Sequence, residues 1–138
     1  MLRTLLLTAG VVFAGVSAGV ANDLSPAGHR VFAPSETLYK NYTLYNRYDY
    51  PATFEIFVYD KRFKPVEGWA VRQSTYKLLP DSKRQVQLRF DVAGERKLLV
   101  CSKMISRGYD EAPLDITTQV CSRLQITPIF SDKPEDDK

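Results

Sequence analysis

The sequence is poor in histidine, the side chain on which many catalytic and metal sites depend. It holds a single histidine, His29, and it contains no glycine-rich phosphate-binding loop. Nucleophilic triads that depend on histidine, and metal sites built from several histidines, therefore lack the residues they need. Asp110 and Glu111 lie together in a turn-rich stretch, where a solvated pair is expected rather than a catalytic one. We predict a protein that is not an enzyme and has no catalytic residues, no cofactor and no metal site.

Long apolar runs are confined to the first 21 residues. Arg3 gives this stretch a positive start, the residues from Leu5 to Val20 are mostly apolar or small, and Gly19-Val20-Ala21 resembles a signal-peptidase site. We predict a secretory signal peptide that is cleaved after Ala21; a retained N-terminal anchor is the alternative. No later segment is apolar enough to cross a membrane, so we expect no membrane span after cleavage.

Charge of one sign is not in strong excess. The full chain has a formal net charge of +3, and the folded body carries about +4 once the signal peptide and the acidic stretch 131–138 are set aside. This excess is too small and too scattered to predict binding to nucleic acid. We expect one domain at 22–130, and we expect the acidic, proline-containing tail 131–138 to be disordered.

Cysteine is scarce as well, since the chain contains only Cys101 and Cys121. An even cysteine count in an exported protein predicts a disulfide, and two cysteines allow one pairing. Both lie in strand-like segments, Lys97–Met104 and Asp115–Thr127, which a turn-rich loop joins as an antiparallel pair. A disulfide there would fix the strand register, and chain entropy predicts about 3 kcal/mol of stabilisation for a loop of roughly 20 residues.

The sequence is rich in period-two alternation of apolar and polar residues. Turn-forming residues separate the alternating segments, and none of these segments has a convincing helical period. The pattern predicts an all-β fold, an immunoglobulin-like antiparallel β-sandwich of about seven strands. The clearest alternating sets are Phe54, Ile56 and Val58 in one segment and Val86, Leu88 and Phe90 in another.

Short motifs stand in a characteristic order along residues 29–128. They are His29-Arg30-Val31-Phe32, Tyr42-Thr43-Leu44-Tyr45-Asn46 followed by Pro51, the turn and strand from Leu79 to Arg89, Cys101-Ser102-Lys103-Met104-Ile105, and Cys121-Ser122-Arg123 followed by Pro128. In that order they resemble the N-terminal domain of periplasmic pilus chaperones of the chaperone–usher pathway, in the subfamily with a long, disulfide-bearing loop. Members of this family carry a second sandwich domain, whereas we expect a single domain here.

The resemblance implies binding by strand addition. In this family the chaperone lends its last strand to a subunit whose own sandwich lacks one, so that alternate side chains fill the open groove. In this sequence one strand face, opposite to that of Cys121 and Arg123, carries the four candidate donor residues. The alternative is that the same side chains complete the protein's own core. The four residues are Leu114, Ile116, Thr118 and Val120.

The resemblance also implies an anchor for the subunit's C-terminal carboxylate. Arg30 and Arg123 match the two family positions that hold this group, with arginine in place of the usual lysine at 123. The alternative is two separate solvated arginines. We therefore predict a periplasmic chaperone-like protein whose partner is a pilus-type subunit or another envelope protein. The alternative function is a structural or adaptor β-sandwich that binds an envelope protein through its loops.

Overall fold

The computed structural model describes residues 22–110, 112–113 and 118–130. The predicted signal peptide, the predicted tail and the donor candidates Leu114 and Ile116 lie outside these residues. The described residues form strands and no helix, and so include no helix of the length and hydropathy that crossing a membrane requires. Along the chain the strands are β1 (Asn22–Ser25), β2 (Gly28–Ala33), β3 (Thr37–Asn46), β4 (Ala52–Tyr59), β5 (Trp69–Val71), β6 (Thr75–Leu78), β7 (Ser82–Asp91), β8 (Arg96–Arg107), β9 (Ala112–Pro113) and β10 (Gln119–Pro128).

The strands form two sheets, and the predicted all-β sandwich is confirmed. The four-stranded sheet has the order β1-β3-β7-β5, and the six-stranded sheet has the order β2-β10-β8-β4-β6, with β9 beside β8. Neighbouring described strands are antiparallel except for β2 and β10, which run parallel. This parallel pair brings the start and the end of the described domain side by side.

The core lies between the sheets, as the alternation predicts. Phe54, Ile56 and Val58 of β4 are buried, and so are Val86, Leu88 and Phe90 of β7. Each such side chain contributes about 1.5–3 kcal/mol through its removal from water. The short strand β1 adds Leu24 to this core, which the sequence pattern did not predict.

Asn46 is a buried polar residue that ties three chain segments together at the end of β3. Its Nδ2 donates to the carbonyl oxygens of Tyr50 at 3.0 Å and Leu78 at 3.1 Å, and its Oδ1 accepts from the amide of Tyr48 at 3.0 Å. Because the amide's donors and acceptor are satisfied, its burial does not carry the usual desolvation penalty. The arrangement fixes the turn that leads from β3 into β4.

Cys101 and Cys121 form a disulfide, as predicted, and they are direct partners in the antiparallel β8–β10 ladder. Their Cα atoms are 4.0 Å apart. In β10 the alternate residues Ser122 and Leu124 are buried in the core, so the side chain of Cys121 lies on the outer face of the six-stranded sheet. The bond therefore fixes which face of β10 points outward.

Candidate functional site

A groove of about 740 Å³ lies on the outer face of the six-stranded sheet, and we call it the cationic groove. Both predicted anchor residues line it, together with two lysines that were not predicted to belong to a site. His29 is exposed and also lines the groove. The four cationic side chains of the lining are those of Arg30, Lys61, Lys97 and Arg123.

The strand register explains why these cations meet. In the parallel β2–β10 pair Arg30 lies opposite Gln125, and in the β8–β10 pair Lys97 lies opposite the same residue. Arg123, two residues before Gln125, projects from the same face because side chains alternate along a strand. Three neighbouring strands therefore each contribute one cation to the groove.

The cationic groove has little negative charge to balance it. Arg30 donates from Nη2 to Oε1 of Gln125 at 3.2 Å, and Gln125 donates from Nε2 to Oε1 of Glu95 at 2.7 Å. Arg123, Lys97 and Lys61 form no ion pair with any residue that the structure describes. Like charges that line one groove repel one another, so an anion bound between them lowers the electrostatic energy. The groove is therefore suited to a carboxylate.

The turn after β4 forms one wall of the groove. The carboxylate of Asp60 accepts hydrogen bonds from the backbone amides of Lys64 at 3.0 Å and Arg62 at 2.8 Å, which lower the pKa of Asp60. This turn places Lys61 and the exposed Phe63 in the lining. The sequence carries no local signal that the turn folds over this face, so neither residue was predicted to belong to the site.

The two donor candidates that the structure describes, Thr118 and Val120, differ in their exposure to solvent. Thr118 is exposed, whereas Val120 is half-buried and packs against the protein's own core. Leu114 and Ile116 lie outside the described residues, so the donor face stays a prediction. Val120 contacts the core because it shares its strand face with the buried Ser122 and Leu124.

The first residues of β10 have an open edge. β2 begins at Gly28, opposite Arg123, so residues 119–121 have a described strand neighbour only on the β8 side. The amide of Met104 donates to the carbonyl of Thr118 at 3.1 Å, and the amide of Arg123 donates to the carbonyl of Ala27 at 3.1 Å. Because main-chain groups alternate in direction, those of residues 119 and 121 face the open side. A further strand could pair with β10 here.

Comparison with known proteins gives a likeness of fold rather than of sequence. No protein-family model and no curated protein matches the chain. The periplasmic chaperone SfaE matches 82% of this chain and 60% of its own, at 14% identity and a TM-score of 0.61. The SafB chaperone of Salmonella enterica, solved in complex with the SafA pilin, has 16% identity and a TM-score of 0.60, with 78% of this chain and 54% of that chain covered.

A human domain shows the same architecture over its whole length. A PapD-like domain of human CEP192 covers 94% of this chain and 100% of its own, at 11% identity and a TM-score of 0.53. By contrast, the present chain spans just over half the length of the two bacterial chaperones. The chain therefore has the PapD-like immunoglobulin fold of the pilus chaperones, and the resemblance predicted from its motifs is confirmed at the level of the fold.

Proposed function

We propose that this protein is a periplasmic chaperone-like protein that binds a pilus-type subunit, or another envelope protein with an incomplete sandwich. The observation that carries the proposal is that Arg30 and Arg123 line one groove, beside the open edge of β10. The partner's C-terminal carboxylate binds between the two guanidinium groups through charge-assisted hydrogen bonds. Its exposed strand edge pairs with the start of β10, and alternate side chains from Leu114 to Val120 enter the partner's groove.

In this proposal, one feature of the site supplies the binding affinity and another fixes the register of the added strand. Main-chain hydrogen bonds to β10 supply affinity that depends little on the partner's sequence. The carboxylate held by Arg30 and Arg123 marks a single point along the added strand, so it fixes the alignment of that strand. The disulfide supports the alignment because it holds β10 in one register against β8.

The anchor is tested with two labelled peptides of one alternating valine–threonine sequence, one ending in a free carboxylate and the other in an amide. We expect wild-type protein to bind the acid form at least tenfold more tightly, as measured by fluorescence anisotropy. The Arg30→Ala/Arg123→Ala variant should lose 10- to 100-fold in affinity for the acid, since a charged hydrogen bond contributes about 1.5–3 kcal/mol. The matched control is Arg47→Ala/Arg62→Ala, which removes two arginines outside the groove. Equal binding of acid and amide would refute the anchor.

Strand donation is tested by capture from the envelope fraction of the source cell. Ile116→Asp should abolish recovery of an incomplete-sandwich subunit, identified by mass spectrometry, without lowering the thermal unfolding midpoint. Loss of the fold in this variant would instead assign Ile116 to the protein's own core.

A second candidate function is an adaptor sandwich that completes its own core and binds an envelope partner through its loops. The packing of Val120 against the core favours this candidate. Partner capture that survives both Ile116→Asp and Arg30→Ala/Arg123→Ala would decide for it.

A further inference from the structure

A second groove, of about 770 Å³, lies along the edge of β7 in the four-stranded sheet, and we call it the β7-edge groove. Its lining includes residues of the segment that runs from β5 to β6 and residues of β7. It shares no lining residue with the cationic groove, and it plays no part in the function proposed above. It therefore needs a separate explanation.

One wall of the β7-edge groove is an unpaired strand edge. β5 pairs only with Leu88, Arg89 and Phe90 of β7, so residues 82–87 have a described strand neighbour, β3, on one side only. The chain leaves β7 after Val71, where β5 ends, and returns in β6, which pairs with β4 in the other sheet. The space beside residues 82–87 is thus the position that a longer β5 would fill.

The direction of the main-chain groups at this edge follows from two flanking hydrogen bonds. The amide of Asp91 donates toward β5, to the carbonyl of Gly68 at 2.8 Å. The amide of Val92 donates toward β3, to the carbonyl of Glu36 at 2.8 Å. Because direction alternates along a strand, the amide and carbonyl groups of Gln85 and Gln87 face the groove. They offer two donors and two acceptors to an added strand.

The described lining of the β7-edge groove is positively charged. Arg72, Arg84 and Arg89 line it, and its described lining contains no aspartate or glutamate. The guanidinium of Arg84 lies 5.2 Å from the ring centroid of Tyr76, which holds it over the groove wall. Arg89 has a loose, exposed contact with Asp91 at 3.9 Å, which contributes little to stability and leaves it free to change partner.

Charged side chains beside an open edge also protect a protein against unselective pairing with other edges. At the β7-edge groove the three charges have one sign, so they repel a cationic or second arginine-lined edge and attract an acidic one. We propose that this groove binds an extended acidic segment of a partner protein. The segment adds as a strand beside residues 83–87, and its carboxylates contact Arg72, Arg84 and Arg89.

The probe is a fluorescein-labelled heptapeptide of alternating glutamate and valine, amidated at its C-terminus so that the carboxylate anchor of the cationic groove is not engaged. Binding is measured by anisotropy at low salt, where charge attraction is least screened. We expect saturable binding, and at least tenfold weaker binding of the same peptide with lysine in place of glutamate. Equal binding of the two peptides, or binding of neither, overturns the proposal.

Two further comparisons separate strand addition from simple charge attraction. Gln87→Pro removes an amide that faces the groove and should weaken binding at least tenfold, whereas Gln87→Ala keeps that amide and should bind like wild type. Arg72→Ala/Arg89→Ala should also weaken binding about tenfold, and the control Arg47→Ala/Arg62→Ala should change it less than twofold.

A peptide that is N-methylated at alternate residues provides the same comparison without altering the protein, should Gln87→Pro fail to fold. Undiminished binding of both N-methylated registers would overturn strand addition. Analytical sedimentation tests whether a second copy of this chain, rather than an acidic segment, occupies the β7-edge groove. A dimer that Gln87→Pro dissociates would assign the edge to self-association and overturn the acidic partner.

Discussion

Arg30 donates a hydrogen bond to the side-chain oxygen of Gln125, across the one parallel strand pair of the described sheets. Gln125 is held in turn by Glu95, to which it donates at 2.7 Å. A neutral amide therefore stands between the carboxylate of Glu95 and the guanidinium of Arg30. The amide orients the cation, and it does so without cancelling the positive charge that the cationic groove presents.

This relationship predicts different effects for two substitutions of Gln125. Gln125→Ala removes the group that orients Arg30 and should weaken binding of the acid peptide about threefold to tenfold. Gln125→Glu places a carboxylate beside Arg30 and should weaken it more than tenfold, because an internal anion competes with the ligand. Anisotropy titrations of both variants measure the effects. Wild-type affinity in Gln125→Glu would show that Arg30 does not contact the ligand.

Removal of the disulfide should reduce stability and partner capture together. Cys101→Ala/Cys121→Ala should lower the free energy of unfolding by about 2–4 kcal/mol, measured by urea denaturation. Capture of the partner should fall as well, because β10 loses the bond that fixes its register against β8. If the stability falls but capture is unchanged, the register of β10 does not depend on the bond.

The buried amide of Asn46 should be among the most sensitive polar positions of the fold. Asn46→Ala leaves the carbonyl of Leu78 and the amide of Tyr48 without their side-chain partner, and it should cost about 1–3 kcal/mol of stability. Asn41→Ala, at an exposed position of the same strand, is the matched control and should stay within about 0.5 kcal/mol of wild type. Similar urea midpoints for the two variants would contradict this role of Asn46.

The turn that carries Lys61 and Phe63 should weaken in acid. The amides of Lys64 and Arg62 lower the folded-state pKa of Asp60, so the carboxylate stabilises the turn fully above its unfolded-state pKa of about 3.9. That stabilisation is lost as the pH falls through the lower folded-state pKa. An NMR titration of the Asp60 carboxyl carbon should show a midpoint below the ordinary value. A midpoint at or above that value would mean that the amide hydrogen bonds do not persist in solution.

Local alternation was enough to predict the long strands. Phe54, Ile56 and Val58 recur at every second position, and this period of two is typical of a β-strand with one buried face. The three-residue strand β5 has no such signal, since its residues are all half-buried. Leu24 is one buried residue in a four-residue strand, so no period marks its contribution to the core.

Residues of the cationic groove could be predicted only where they belong to a sequence motif. Arg30 and Arg123 were singled out through the family resemblance, and the structure places both in one groove. Lys61, Lys97 and Phe63 were missed because their meeting depends on strand pairing and on the path of a turn, and neither is encoded in local sequence. The β7-edge groove was missed for a related reason: the length of β5 decides where the edge is open.

The parallel pairing of β2 with β10 has a consequence for the order of events during folding. It joins residues 95 positions apart in the chain, and contacts of such separation form slowly because a long loop must close first. Arg30 and Arg123 therefore come together only once this long-range strand pair has formed. If the proposed function holds, a chain that has not yet paired β2 with β10 lacks the carboxylate anchor, so binding of the acid peptide would report that this late pairing has formed.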